Sequence, residues 1–120
     1  TFEVSAHFLI RRDGQLIQYV STQDRAWHAG ASNWRGQTRC NDFSVGIELE
    51  GCDSKPYTAA QYEQLAALTQ ALRERYPRIN SVAGHHEIAP ARKTDPGACF
   101  EWARFEYQAK IPAEARKSAS

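Results

Sequence analysis

The stretch Thr58 to Tyr76, TAAQYEQLAALTQALRERY, constrains the fold more than any other part of this chain. Thr58 and Gln61 stand at capping-box spacing, in which the hydroxyl accepts from the third helical N–H and the glutamine side chain reaches back to the cap. Leu65, Leu68, Leu72 and Tyr76 then recur at helical intervals, and Pro77 ends the run. A helix with one apolar stripe needs a surface to lay it on, and the flanking segments read as strands. Val4 to Ile10 and Leu16 to Val20 are rich in strand formers. Between them Asp13-Gly14 is a strong hairpin-turn signal. FSVGIELEG, residues 43–51, reads as a buried strand with two glutamates near its end, and SVAG, residues 81–84, as a short one. CFEWARFEY, residues 99–107, reads as a second helix laying Phe100, Trp102 or Phe105 on the sheet. The expected class is therefore α/β, a central mixed β-sheet flanked by helices, over residues 1–111. Residues 112–120, PAEARKSAS, read as a flexible tail. The long polar stretch Ser21 to Asp42 has no sustained period and reads as an ordered loop, because Trp27 and Trp34 are costly to leave in water.

Several function classes fall away on composition. A chain of 120 residues holds one core, and 42% hydrophobic with 24% charged residues is a globular balance. A net charge of +1 supplies no attraction for nucleic acid or an anionic membrane, and no apolar run approaches a membrane span. Cys40, Cys52 and Cys99 are an odd count without framework spacing, which fits a reducing cytoplasm better than a disulfide-built secreted fold. The chain opens at Thr1 almost directly in a strand pattern, as a processed, nicked or truncated product would.

The chemistry concentrates in GHHEIAPARKTDPG, residues 84–97, whose prolines and glycines suit neither a helix nor a buried strand. Imidazole and carboxylate are both zinc ligands, at about 2.0–2.2 Å. His85 and Asp95 stand at the two ends of a loop stiffened by Pro90 and Pro96, so folding the loop back would bring them together. Lys93 lies two residues before Asp95, and in extended backbone that parity points both side chains one way. A catalytic zinc keeps an open position for water, and amide hydrolysis further needs a base and an oxyanion donor. Lys93 can supply the donor and Glu48 or Glu50 the base; strand parity puts both glutamates on one face and does not choose between them. Against this, a His and an Asp on a loop are commonly plain surface polars, and His7 and His28 read as structural.

Three segments carry a resemblance: VSAHFLIRRDGQLIQYV, RAWHAGASNWRGQTRCNDFSVGIELEG and GHHEIAPARKTDPG. From Val4 to about Phe105 the chain resembles the zinc-dependent N-acetylmuramoyl-L-alanine amidase family, most closely its cytoplasmic AmpD-type 1,6-anhydro-N-acetylmuramyl-L-alanine amidases. The resemblance implies a fold related to peptidoglycan recognition proteins, with His85 and Asp95 as Zn²⁺ ligands. It implies Lys93 as the group stabilising the tetrahedral intermediate and Glu48, over Glu50, as the one activating water. Trp27, Arg39 and the backbone around Ala89 match positions that line the substrate groove. The implied reaction is hydrolysis of the amide between (1,6-anhydro)N-acetylmuramic acid and L-alanine of muropeptides, in cell-wall recycling. Two departures stand out. The family's third zinc ligand is a histidine upstream of VSAHF, in a segment this chain does not contain; either a separate N-terminal segment or an unseen part of the protein supplies it, or the chain as it stands is not competent. Glu3 replaces an arginine of close relatives. A secreted or phage-type amidase and a non-catalytic muropeptide-binding module are the competing expectations. In many secreted relatives the ligand at the Asp95 position is cysteine, which favours the AmpD-type reading.

Overall fold

The computed structural model describes residues 6–23, 33–34, 37–38, 44–51, 54–91 and 93–116. In chain order the elements are β1 (Phe8–Ile10), β2 (Leu16–Gln18), β3 (Asn33–Trp34), β4 (Gln37–Thr38), β5 (Ile47–Leu49), α1 (Ala59–Arg75), α2 (His85–Ile88) and α3 (Trp102–Ala109), followed by a 3-10 turn at Ala113–Arg116. The main sheet is mixed, as expected. Its order is β2-β1-β5, with β1 antiparallel to β2 and parallel to β5.

The hairpin forms where Asp13-Gly14 places it. Arg11 N–H donates to the Gln15 carbonyl at 2.9 Å, and Gly14 takes φ +90°, a conformation only glycine adopts without strain. A side chain at Gly14 would also press on Ala60 at 3.0 Å, since the turn abuts the start of α1. Parallel register sets Phe8 beside Ile47, Leu9 beside Glu48 and Ile10 beside Leu49. Ile10, Ile47 and Leu49 therefore turn to the core packed by α1, and Glu48 turns with Leu9 to the other face. The 43–51 segment, expected buried, is a half-buried strand at the edge of the described sheet.

The cap of α1 is complete. Gln61 N–H donates to Thr58 Oγ1 at 3.2 Å, and Thr58 N–H donates to Gln61 Oε1 at 3.0 Å. The buried stripe runs through Tyr62, Leu65, Ala66 and Thr69, and Leu68 and Leu72 flank it half-buried. Phe100 stacks on Tyr62, with ring centroids 5.4 Å apart, and meets Trp102 edge-on at 4.8 Å. Phe105 fills the same core at 2% exposure. The second helix thus forms where expected but leans chiefly on α1 instead of directly on the sheet.

Three expectations are corrected. The Ser21–Asp42 stretch contains the short antiparallel pair β3–β4. Ser81–Gly84 joins no ladder among the described residues; Val82 instead meets the C-terminal turn, its N–H donating to the Ala115 carbonyl at 2.8 Å and its carbonyl accepting from Arg116. By the same contacts the expected tail is packed as far as Arg116, with Ala115 2% exposed.

Candidate functional site

Residues 84–97 do begin with one helical turn, against the expectation from their composition. Gly84 is the N-cap, and Glu87 Oε1 accepts its N–H at 2.9 Å, closing half a capping box whose only signal in the sequence is the spacing Gly84-x-x-Glu87. Ala89 N–H donates to the His85 carbonyl at 2.8 Å, and Lys93 N–H to the Ala89 carbonyl at 2.9 Å, so two successive turns end the helix and redirect the chain. The chain then returns. His86 N–H donates to the Asp95 carbonyl at 3.1 Å, and Tyr57 Oη donates to the Pro96 carbonyl at 2.8 Å across a cis Asp95-Pro96 bond. The fold-back is tight: a Cβ on Gly84 would lie 2.6 Å from His86 Nδ1 and 2.9 Å from Pro96 Cδ. Glycine is required there for space, not for φ.

The result is the predicted convergence. His85 Nδ1 lies 2.5 Å from Asp95 Oδ2, with His85 buried and Asp95 half-exposed. The hydrogen bond from His85 holds the Asp95 carboxyl below the usual carboxylate range; burial opposes it, and the charges of His85 and Lys93 assist. Lys93 contributes only its charge to this effect and is not part of the cavity wall. That cavity, of about 750 Å³, is lined by Glu48, His85 and Asp95 together, with Gly46, Phe100 and Trp102.

The choice between the glutamates, which strand parity leaves open, becomes visible here. Glu48 is inside β5 and lines the cavity. Glu50 lies past the end of the strand, where its Oε1 accepts from Arg12 N–H at 2.9 Å and sits 3.8 Å from Arg11 Nε. Ala89 is buried behind α2 with Ile88 and Ala83. His7 is fully buried, and its Nδ1 accepts from Gly46 N–H at 3.0 Å, the structural role expected of it. Trp27, Arg39, Glu3 and His28 lie outside the described residues.

One imidazole nitrogen and one carboxylate oxygen aimed at each other match zinc's preferred donors. Among the described residues no third His, Cys, Asp or Glu joins them, so the donor set fits the metal in kind and is incomplete in number. Two converging donors with a further carboxylate on the same cavity wall are the kind of constellation that metal-assisted hydrolysis uses.

The chain belongs to the N-acetylmuramoyl-L-alanine amidase family, whose model matches residues 1–98. It is 65% identical over 103 residues to the 1,6-anhydro-N-acetylmuramyl-L-alanine amidase AmpD of Citrobacter freundii, covering 85% of this chain and 55% of that one. Against the AmpD of Escherichia coli K12 the figures are 63%, 85% and 56%. The chain thus spans about half the length of the curated relatives it matches. A crystal structure of a selenomethionine derivative of AmpD superposes with a TM-score of 0.85 at 61% identity, covering 89% of this chain and 60% of that one. The amidase AmiD from E. coli, solved with the substrate anhydro-N-acetylmuramic acid-L-Ala-D-gamma-Glu-L-Lys, superposes at 0.84 with 38% identity, covering 94% and 50%. These likenesses agree with the expected fold, a mixed sheet with helices.

Proposed function

We propose that this chain carries the reacting groups of a zinc-dependent amidase that cleaves the bond between the lactyl carbonyl of a 1,6-anhydro-N-acetylmuramyl sugar and L-alanine. The observation that carries the reading is the contact of His85 Nδ1 with Asp95 Oδ2 on the wall of a cavity that Glu48 also lines. A zinc ion held by His85 and Asp95 would polarise the scissile carbonyl and acidify a water. Glu48 takes the proton of the attacking water as its oxygen adds to the carbonyl carbon, and Lys93 donates to the oxyanion that develops. As the C–N bond breaks, Glu48 returns the proton to the departing amine of alanine. The ionised state of Asp95 suits it to hold a cation, and its Oδ2 stands close enough to His85 Nδ1 for one ion to meet both.

The third ligand is assigned to chain outside the described residues, either an upstream part of the protein or a separate N-terminal segment. Trp27, Arg39 and the Ala89 backbone are proposed to line the peptide groove. Anhydromuropeptides as the substrate class rest on the AmpD relatives and on the ligand in the AmiD complex. The proposed setting is cytoplasmic cell-wall recycling. A muropeptide-binding module without turnover is the second reading, favoured by the two-donor count among the described residues.

The test is zinc analysis and hydrolysis of an anhydromuramyl tripeptide by the protein with the segment that supplies the third ligand present, and by its variants. Asp95→Ala is expected to lose both metal and turnover. Glu48→Ala and Lys93→Ala should keep zinc while turnover falls by at least about 10². A full equivalent of zinc in Asp95→Ala would overturn the ligand assignment. Stoichiometric binding of the tripeptide by the unaltered protein with no cleavage would favour the binding module.

A further inference from the structure

Arg116 lies in the C-terminal 3-10 turn and is only 16% exposed, yet it belongs to no element of the site described above. Its guanidinium makes three hydrogen bonds and lies over an aromatic ring. Nη1 donates to Glu87 Oε1 at 2.6 Å and to the Val82 carbonyl at 2.9 Å, and Nε donates to Glu106 Oε1 at 2.9 Å. Its Cζ lies 3.5 Å from the centroid of the Trp102 ring, which in turn faces His86 at 6.1 Å. The arginine therefore ties three segments together: the strand-like approach to α2, α2 itself, and α3.

The arm to Glu87 differs in kind from the other two. The same Glu87 Oε1 accepts Gly84 N–H at 2.9 Å, so the oxygen that Arg116 grips is the one that caps α2. His85 is the first residue of that helix. A helix of four residues has almost no internal hydrogen bonding to hold its direction, so its orientation depends on what grips its ends. Glu87 also carries a charge that must be matched, because its side chain is only 24% exposed. A guanidinium suits this place, since its planar fork serves three acceptors at once where an ammonium presents a point charge.

We propose that Arg116 is a positioning residue for the metal ligand His85, acting through the Glu87 carboxylate that caps α2. The proposal rests on the zinc-amidase reading above, with His85 as ligand. It places a contribution to the site 31 positions downstream of the ligand it serves, in a segment that carries no recognisable motif. Outer hydrogen-bond partners of metal ligands characteristically change metal affinity by about 10- to 100-fold when removed.

The experiment compares the two arms of one arginine in the full chain. Zinc affinity is measured by competition with a chelating dye for the unaltered protein, Arg116→Ala, Arg116→Lys, Glu87→Ala and Glu106→Ala. Amide hydrogen exchange at Gly84 and Ala89 is followed in the same proteins without metal. Arg116→Ala and Glu87→Ala should each weaken zinc by at least about tenfold and speed exchange at Gly84. Their double variant should be no worse than either alone, because both break one chain of contacts. Glu106→Ala removes a partner of the same guanidinium but leaves α2 capped, and should stay within about twofold of the unaltered protein in zinc affinity. Arg116→Lys should fall between. Equal loss of affinity in Glu106→Ala and Arg116→Ala would reduce Arg116 to general stability and overturn the proposal. So would unaltered affinity in Arg116→Ala, including in a protein that still melts cooperatively. If the unaltered protein, supplied with the segment that carries the third ligand, holds no zinc, the amidase reading fails, and faster Gly84 exchange in Arg116→Ala but not in Glu106→Ala would show that the gripping of α2 stands without it.

Discussion

Gln61 joins more of this fold than its place in a helix suggests, and Gln61→Ala should be among the most damaging single truncations in the chain. The side chain is 1% exposed. Its Oε1 accepts Thr58 N–H at 3.0 Å, while Nε2 donates to the Glu50 carbonyl at 2.8 Å and to the Ile10 carbonyl at 3.3 Å. One residue thus closes the cap of α1 and clasps the ends of β1 and β5, the strand that carries Glu48. Ile10 keeps another donor, since Glu50 N–H reaches its carbonyl at 2.9 Å, so the long bond counts for little. The Thr58 N–H and the Glu50 carbonyl lose their protein partners, at about 1 kcal/mol each. The space left by the truncated side chain adds roughly 1 kcal/mol more. The loss is then about 3 kcal/mol. With an unfolding entropy of about 0.25 kcal/mol/K for a domain of this length, Tm should fall by about 12 °C. The assay is thermal unfolding followed by far- and near-UV circular dichroism, both signals moving together if the transition is two-state. Gln61→Glu sharpens the case: it keeps the acceptor for Thr58 but turns a carboxylate oxygen on two carbonyls, and should be worse at pH 7 than at pH 4. A drop below about 4 °C for Gln61→Ala would refute the reasoning, because it would mean that water replaces every bond at no net loss.

Three further outcomes are expected. Glu50→Ala should leave turnover within about threefold of the unaltered protein, because its carboxylate serves Arg12 N–H and Arg11 instead of the cavity; a loss matching Glu48→Ala would show that the wrong glutamate has been assigned. Gly84→Ala should destabilise by about 1–3 kcal/mol and lower zinc occupancy, because the new methyl meets His86 and Pro96; wild-type melting and metal content would contradict it. The Asp95 carboxyl is held below its unfolded value by His85, so the metal-free protein gains stability from it above the unfolded pKa, about 3.9, and loses that gain as pH falls through the lower folded value. Asp95→Asn, assayed by denaturant unfolding without metal, should therefore be less stable at pH 6 and converge with the unaltered protein toward pH 2; a constant gap across that range would be inconsistent with this linkage.

What could be read along the chain and what could not divide by the range of the interaction. The helix Ala59–Arg75, its Thr58–Gln61 cap and the Asp13-Gly14 hairpin depend on residues a few positions apart, and all three stand where local pattern places them. The approach of His85 to Asp95 was legible for the same reason, since both lie on one short loop stiffened by proline. Parity along Glu48-Leu49-Glu50 failed to separate the two glutamates because parity is a rule for strands and β5 ends at Leu49; only the position of Arg11 and Arg12 decides where Glu50 goes. The strand expected at Ser81–Gly84 and the tail expected from Pro112 were misjudged together, because each is the other's partner through Val82, Ala115 and Arg116, and that pairing joins segments more than thirty positions apart. Sequence by itself determined the local elements and the chemical kind of the site. Resemblance picked Glu48 over Glu50 where parity could not, but tertiary structure alone decided where the Glu50 carboxylate goes and which arginine grips the helix of His85, because hydrogen-bond partners distant in the chain are chosen by packing and leave no periodic trace in the residues that make them.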